Sequence, residues 1–390
     1  MVDERSEPHR LTLVIPSLQY GGAERVMATL ADEWSDSGRD VTLITLSARA
    51  TDTYRLDERV QRIALDAIGT SPGPITAIFS NLRRLLRLRT ALRQSRPDVI
   101  VSFIDRMNVM TLLATIGWRR NVIISERTDP SRHRIGRIWS GLRRRVYRRC
   151  RGLVVQSEPV RTQMQPLVGS RPVYVIPNPV TAPPGEAEQK QPSTANRRAG
   201  EQTPQKRTVV GMGRLSAEKG FDRLIEAFSR IAKEQTDWRL LILGEGPCRA
   251  ELAELIERKQ LSDLVTLVGW VEHPETVLRR SDLFVLPSRY EGFPNALLEA
   301  LACGVPAVVF DVCPAEIVRN NIDGLRVPAG DIAALSAAMS RLMSNEAERA
   351  RLANNALDAI ERFSQERFLA AWNTVLRGDD PAGETNSSRG

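Results

Sequence analysis

Histidine and cysteine are scarce in this 390-residue chain, which has three of the first and four of the second. The cysteines (Cys150, Cys248, Cys303, Cys313) stand far apart, form no C-x-x-C pair and have no histidine at zinc-ligand spacing. A disulfide framework and a structural metal site are therefore excluded, and a reducing, cytosolic setting is expected. No stretch approaches the ~20 apolar residues of a membrane span. The run from Leu11 to Pro16, behind the charged start MVDERSEPHR, is too short for a signal-peptide core. No Asp-x-Asp metal motif is present.

What the chain does have is length and positive charge. At roughly 100 to 200 residues per domain it holds about two domains, each able to bury a core. Its 55 Lys plus Arg against 47 Asp plus Glu give a net charge of +8. The basic bias points to an anionic partner: nucleic acid, a phospholipid surface or a phosphorylated substrate.

Apolar runs of five or six residues alternate with amphipathic stretches, the pattern of βα units around a parallel sheet. Strands are predicted at 11–15, 41–46, 98–103, 121–125, 152–156 and 173–177. The pattern restarts at 208–213, 239–244, 265–269, 282–287 and 306–310. Between the two sets, Thr181 to Arg207 contains no aromatic residue and no aliphatic larger than Ala, a composition that cannot offset its ordering entropy by burial. The fold class is therefore α/β, with two doubly wound Rossmann-like domains. The expected divisions are 1–180, a linker or disordered loop at 181–207, a second domain at 208–363, a C-terminal helix at 364–377 that packs back on the first domain, and a frayed tail at 378–390. Such sheets bind ligands beyond the carboxyl ends of their strands, which makes a cleft between the halves the expected active site.

Three segments carry chemistry. In SLQYGGAERVMATL, Gly21 and Gly22 open a helix whose N-terminal amides can approach an anion. A tight strand-to-helix turn accounts for them equally well, and the segment is neither a dinucleotide fingerprint nor a P-loop. In VVGMGRLSAEKGF, Gly213 ends a strand, and Arg214 and Lys219 follow, placed to clamp a diphosphate. In LPSRYEGFPNALLEALACGVPAVVF, Pro294 suits a helix start, and the amides of Asn295, Ala296 and Leu297 offer a phosphate seat. Glu291 lies before that helix and Glu299 inside it, so the two acids can reach different hydroxyls of one ligand.

GRLSAEKGFDRLIEAF, LILGEGP and SRYEGFPNALLEALACGVPAVVFD together resemble the C-terminal half of the family 4 retaining glycosyltransferases of the GT-B fold. GGAERV, SFIDRMN and ISERTDP resemble the N-terminal half of the bacterial branch that builds surface polysaccharide or lipid-linked oligosaccharide. The resemblance implies that Glu291 contacts hydroxyls of the transferred sugar, that Glu299 holds the nucleotide ribose, and that Arg214 and Lys219 neutralise the diphosphate. Gly213, Glu245, Gly292 and the Phe293 to Leu297 backbone would complete the donor site, with Gly21 and Gly22 closing from the other domain. It further implies transfer with retention from a nucleotide sugar, commonly a UDP-sugar, and a lipid-linked or glycan acceptor. The Arg/Lys pair would replace a divalent ion, so no metal or other cofactor is expected.

Many relatives place a histidine after the fourth or fifth strand, where this chain has Ser125, Glu126 and Arg127. Its histidines are His9, His133 and His273. Asp105, Asn108, Glu126 and Arg127 are the candidates for that contact. Residues 81–96 carry six arginines and residues 132–151 carry nine, interleaved with apolar residues. These stretches suit contact with an anionic membrane from the cytoplasmic face, or an apolar stripe packed on the sheet with solvated arginines. Nucleic acid is not expected, because no recognition motif accompanies the charge. The competing functions are a nucleotide-sugar epimerase of the same fold and a non-catalytic membrane-binding scaffold.

Overall fold

Strands that are apolar on both faces need cover on both faces, and that requirement organises each half of the chain. The computed structural model describes residues 8–19, 21–68, 73–118, 121–127, 135–180 and 206–379. It divides into two compact units, one running to Asn178 and resuming at Glu366, the other spanning Pro179–Gln365. Most of the expected linker (181–205), His133 and most of the expected tail (380–390) lie outside the described residues.

The first unit contains β1 (Arg10–Ile15), α1 (Gly22–Asp36), β2 (Asp40–Thr45), β3 (Gln61–Ala64), α2 (Pro74–Gln94), β4 (Val99–Phe103), α3 (Asp105–Ala114), β5 (Asn121–Ser125), α4 (Arg137–Val146), β6 (Gly152–Val155), α5 (Glu158–Val168) and β7 (Val173–Val175). The second contains β8 (Arg207–Met212), α6 (Phe221–Ile231), β9 (Trp238–Leu243), α7 (Arg249–Arg258), β10 (Val265–Gly269), α8 (Pro274–Leu278), β11 (Leu283–Leu286), α9 (Asn295–Ala302), β12 (Ala307–Phe310), β13 (Gly324–Val327), α10 (Ile332–Ser344), α11 (Glu346–Ala356) and α12 (Asp358–Arg362). A last helix, α13 (Gln365–Arg377), belongs almost wholly to the first unit.

The sheet orders are β3-β2-β1-β4-β5-β6-β7 and β10-β9-β8-β11-β12-β13, and the strand pairs are parallel. Strand order reverses between β1 and β4 in the first sheet and between β8 and β11 in the second. Those switch points are where doubly wound sheets bind ligands. Successive residues of β1 feed two cores: Leu11, Leu13 and Ile15 join one, and Val14 joins the other. The second sheet divides in the same way, with Leu283 and Val285 on one side of β11 and Phe284 and Leu286 on the other.

The alternation pattern missed β3 and β13. Each is four residues long and lies at a sheet edge, so neither forms the buried apolar run that marks the central strands. Arg207, read as the end of the linker, is instead the first residue of β8.

Helix α13 covers one face of the first sheet through Trp372, which is fully buried. Its ring meets Trp34 edge-on at 6.0 Å and stacks on Phe103 at 5.8 Å. Arg151 donates to the carbonyls of Val375 and Leu376 at 3.1 Å each, satisfying acceptors that a helix C-terminus leaves open. Among the described residues no helix is long and apolar enough to cross a membrane. Trp372→Ala should destabilise the first unit by about 3–5 kcal/mol. Urea unfolding followed by the remaining tryptophans checks this, and an unchanged midpoint would mean that α13 contributes nothing to that core.

Candidate active site

At the switch point of the second sheet, two loops are held together by close backbone approach. Gly220 has φ of 67°, and a Cβ there would lie 2.2 Å from the Pro287 carbonyl oxygen. Only glycine lets the start of α6 come this near the end of β11. Arg289 ties the same loops, pairing with Asp222 through contacts of 2.6 and 2.8 Å and donating to the Ala217 carbonyl at 2.6 Å. Burial pushes the Asp222 carboxyl up, but the Arg289 bonds outweigh it and the group lies below the usual range.

This scaffold brings Lys219 and Glu291 into contact across 72 residues of sequence. Lys219 Nζ donates to Glu291 Oε1 at 2.7 Å and to Oε2 at 3.0 Å, and Ser288 Oγ donates to Oε1 at 2.5 Å. The Glu291 side chain is 6% exposed and the Lys219 side chain 25%, so the acid is the more enclosed partner. Arg214 leaves the end of β8 with its side chain exposed.

Glu299 sits half-buried in the second turn of α9. Pro294 is the N-cap of that helix, one residue ahead of the first helical position. The amide of Leu297 donates to the Pro294 carbonyl at 3.1 Å, so it is committed to the helix start and not offered to a phosphate. Phe293 is buried edge-on against Phe363 at 5.8 Å, and Gly292 beside it is half-buried. Glu245 lies exposed in the loop after β9 and pairs with Arg249 at 2.9 Å. Gly213 follows Met212, the last residue of β8, with φ of 155°.

In the first unit, Gly21 caps α1 in an extended conformation. The Glu24 carboxylate folds onto it so closely that a Cβ at Gly21 would clash. An acid of the first turn thus already faces the amides that the sequence offers to an anion.

Asp105, Asn108, Glu126 and Arg127 gather at the carboxyl ends of β4 and β5, all buried. Ile104, between β4 and α3, has φ of 74°, an outlier for a β-branched residue. It donates to the Ser125 carbonyl at 3.1 Å, and Asn108 Nδ2 donates to the same oxygen at 2.9 Å. Glu126 and Arg127 serve opposite faces of the sheet. Arg127 lies 3.9 Å over the Phe103 ring and donates to Asn178 at 2.8 Å, while Nε and Nη2 have no partner among the described residues. Burial lowers it to about 9. Glu126 accepts from the Tyr147 hydroxyl, and its other oxygen has no partner among the described residues. His9 and His273 are exposed, beside Asp40 and Glu275 respectively.

Sequence reasoning missed Ser288, Arg289, Tyr147 and Arg143. Ser288 and Arg289 carried a signal, standing two and three residues ahead of Glu291 in a loop already marked as functional. Arg143 carried none, and Tyr147 was legible only as part of an apolar stripe that packs on the sheet, as its full burial bears out.

The family model "Glycosyltransferase Family 4" matches residues 20–182, and "Glycosyl transferases group 1" matches residues 193–358. A lipopolysaccharide core biosynthesis glycosyltransferase, LpsD of Rhizobium meliloti, is 30% identical over 90% of this chain and 94% of its own. An undecaprenol-diphosphate-glycan α-1,4-N-acetyl-D-galactosaminyltransferase of Campylobacter jejuni is 26% identical over 93% and 97%. The chain spans only 40% of a longer relative, exopolysaccharide phosphotransferase SCO2592 of Streptomyces coelicolor, at 29% identity. Among solved structures, Anabaena HepE in complex with UDP superposes with a TM-score of 0.77 at 18% identity, covering 94% of this chain and 99% of that one; that likeness concerns the fold. The chain belongs to the group 1 and family 4 glycosyltransferases of the GT-B fold.

The asymmetry of the Lys219–Glu291 pair has a measurable consequence. Lys219→Met strands an enclosed carboxylate, whereas Glu291→Gln leaves a lysine that water can reach, so the first should cost more stability. Denaturant unfolding of the two single variants and the double should give a coupling of about 0.5–3 kcal/mol. A coupling of zero would mean that the pair is not formed in solution.

Proposed function

We propose that the chain moves a hexose or N-acetylhexosamine from a UDP-sugar to a polysaccharide or lipid-linked oligosaccharide acceptor, with retention at the anomeric carbon and without a divalent ion. The observation that carries this reading is the Lys219–Glu291–Ser288 cluster at the second sheet's switch point, with Arg214 exposed beside it in sequence. A diphosphate competes for Lys219, and its arrival frees Glu291 to accept from sugar hydroxyls. Glu299, farther along α9, is left for the ribose. Support for the donor comes from HepE, whose structure holds UDP. Support for the acceptor comes from the Campylobacter relative, named for its undecaprenol-diphosphate glycan.

In the proposed reaction the C1–O bond to the terminal phosphate breaks while the acceptor oxygen bonds C1 on the same face. The acceptor's proton passes to the departing phosphate oxygen. Arg214 and Lys219 stabilise the charge that grows on the diphosphate, the term that contributes most to such catalysis. Arg214→Ala and Lys219→Ala should each lower kcat by about 10²–10³. Transfer and slow hydrolysis of UDP-, GDP-, ADP- and TDP-sugars, measured in EDTA, check both points. Full rate in the two variants sinks the clamp, and abolition by EDTA sinks metal independence.

The same reading places the chain on an anionic membrane, and the structure changes which residues would do the work. On α2 three basic side chains fold inward while Arg83 and Arg93 stay exposed: Arg84 donates to the Ala67 carbonyl, Arg87 to that of Leu65, and Arg89 to those of Ala114 and Ile116. Its apolar residues face out instead, with Ile78 68%, Phe79 66%, Leu82 49% and Leu86 55% exposed. On α4, Ile138 is 79% exposed, and Arg137, Arg144 and Arg145 line a shallow groove with it. Sedimentation with phosphatidylglycerol vesicles should fall when Phe79 and Leu82 are both changed to Ser, and wild-type binding should weaken with salt. Binding that ignores both removes these helices from the membrane contact.

A further inference from the structure

A carboxylate that is to hold a sugar must be fixed from both sides, and the loop that carries Glu291 is fixed differently on each. The arm before Glu291 is tied by hydrogen bonds. Ser288 Oγ reaches the carboxylate itself, the Arg289 amide donates to the Glu218 carbonyl at 2.8 Å, and the Arg289 guanidinium grips the Ala217 carbonyl and Asp222. The arm after Glu291 lacks such ties. Among the described residues no hydrogen bond holds the main chain of Glu291, Gly292 or Phe293, and the next one along is accepted by the Pro294 carbonyl. What anchors this arm is the Phe293 ring, 7% exposed and set edge-on against Phe363, which is equally buried.

Phe363 is itself firmly held. It follows α12, donates its amide to the Ala359 carbonyl at 3.0 Å and accepts from the Val180 amide at 2.8 Å. Val180 and Phe363 lie at the two ends of the second unit, so the wall behind the loop is built where the chain enters and leaves that unit. Arg362, one residue earlier, donates to the carbonyls of Glu316 and Ile317 at 2.7 and 3.3 Å and to the fully buried Asp323 at 3.1 Å. Arg319 donates to the same carboxylate oxygen at 2.7 Å. A charge network thus fixes the wall, and an aromatic side chain leans the loop on it.

An edge-to-face ring pair sets an angle as well as burying area, whereas an aliphatic side chain of similar size sets none. Groups that meet a substrate have to be placed to within about 0.5 Å. Without ligand, Lys219 and Ser288 both hold the Glu291 carboxylate. A diphosphate that claims Lys219 leaves it Ser288 and its own backbone, so the second arm then matters most.

We propose that Phe363 is a positioning residue for the sugar contact: by orienting Phe293 it sets the second arm of the loop, and with it Glu291. This role rests on the transferase reading of the same site. Phe363 stays in the core and meets no ligand. It acts on the sugar part of the donor and leaves the nucleoside diphosphate part to Arg214, Lys219 and Glu299.

The test is calorimetric binding of UDP-, GDP-, ADP- and TDP-sugars, and of the matching nucleoside diphosphates, to wild type, Phe363→Leu, Glu291→Ala and the double variant. The ratio of the two dissociation constants isolates the sugar's share. Circular dichroism verifies folding, and Phe293→Leu, which weakens the same contact from the other ring, carries the test if Phe363→Leu does not fold. Phe363→Leu should weaken nucleotide-sugar binding about fivefold or more while changing nucleoside diphosphate binding less than about twofold. Added to Glu291→Ala it should change the ratio no further. Equal losses for both ligands, no loss for either, or a further loss on top of Glu291→Ala reduces Phe363 to a core residue and overturns the proposal. A ratio that depends on Glu291 but ignores Phe363→Leu removes only the positioning role. Wild type that binds none of the nucleotide sugars, or a ratio that Glu291→Ala leaves unchanged, removes the sugar contact of the transferase reading and this role with it.

Discussion

A parallel sheet covered by helices on both faces has one place left for chemistry, the carboxyl ends of its strands. The strands here are largely apolar on both sides, and the few buried polar side chains within them, such as Thr12 and Ser102, are hydrogen-bonded to the helices beside them. Ser125 marks the limit in the first sheet: β5 is apolar at Val122, Ile123 and Ile124, turns polar at Ser125, and charged at Glu126 and Arg127. The second sheet makes the same transition after Leu286, through Ser288 and Arg289 to Glu291. Every functional candidate in either sheet follows from that rule, because the helices that start at these ends add their first turns to the same edge.

The two edges treat buried charge differently. In the second unit Glu291 is paired with Lys219 and Asp222 with Arg289, so each acid is neutralised where it stands. In the first, Glu126 and Arg127 are neighbours in sequence but serve opposite faces, and each keeps hydrogen-bonding atoms without a partner among the described residues. The ring stack of Arg127 on Phe103 supplies some attraction, but a guanidinium or carboxyl with idle atoms is held at a cost. A fold sustains that cost where a ligand or water completes the set.

Much of this was legible in the sequence, and its limits have physical causes. Central strands are continuous apolar runs, so their positions and the α/β class could be read directly. Edge strands β3 and β13 are short and each carries an arginine, and they left no such run. Glu291, Lys219, Arg214 and Glu299 stood out because chemistry-bearing residues recur at strand ends; the contact between Lys219 and Glu291 depends on Gly220 approaching Pro287, a tertiary fact. Glu126 and Arg127 were legible as residue types. Their division between faces depends on β5 continuing its alternation past Ser125, where the Glu126 N–H still donates to the Val154 carbonyl at 3.0 Å, and no spacing rule fixes where that stops.

The arginine-rich stretches show why charge counts mislead about surfaces. A guanidinium on a long stem can fold back over its own helix to cap carbonyls of neighbouring loops, and Arg84, Arg87 and Arg89 do this for the loops after β3 and α3. Five N–H donors per side chain let each one satisfy backbone groups that a lysine would serve poorly. Arg89 and Arg93 also stack on Trp118. The charge on α2 therefore acts partly as internal scaffolding, and the outward stripe of Ile78, Phe79, Leu82 and Leu86 is what the helix presents to its surroundings. On α4 the division is reversed, with Arg144 and Arg145 exposed and Val146 buried. A basic sequence has thus produced one apolar face and one cationic face, the two properties that an anionic lipid surface rewards together.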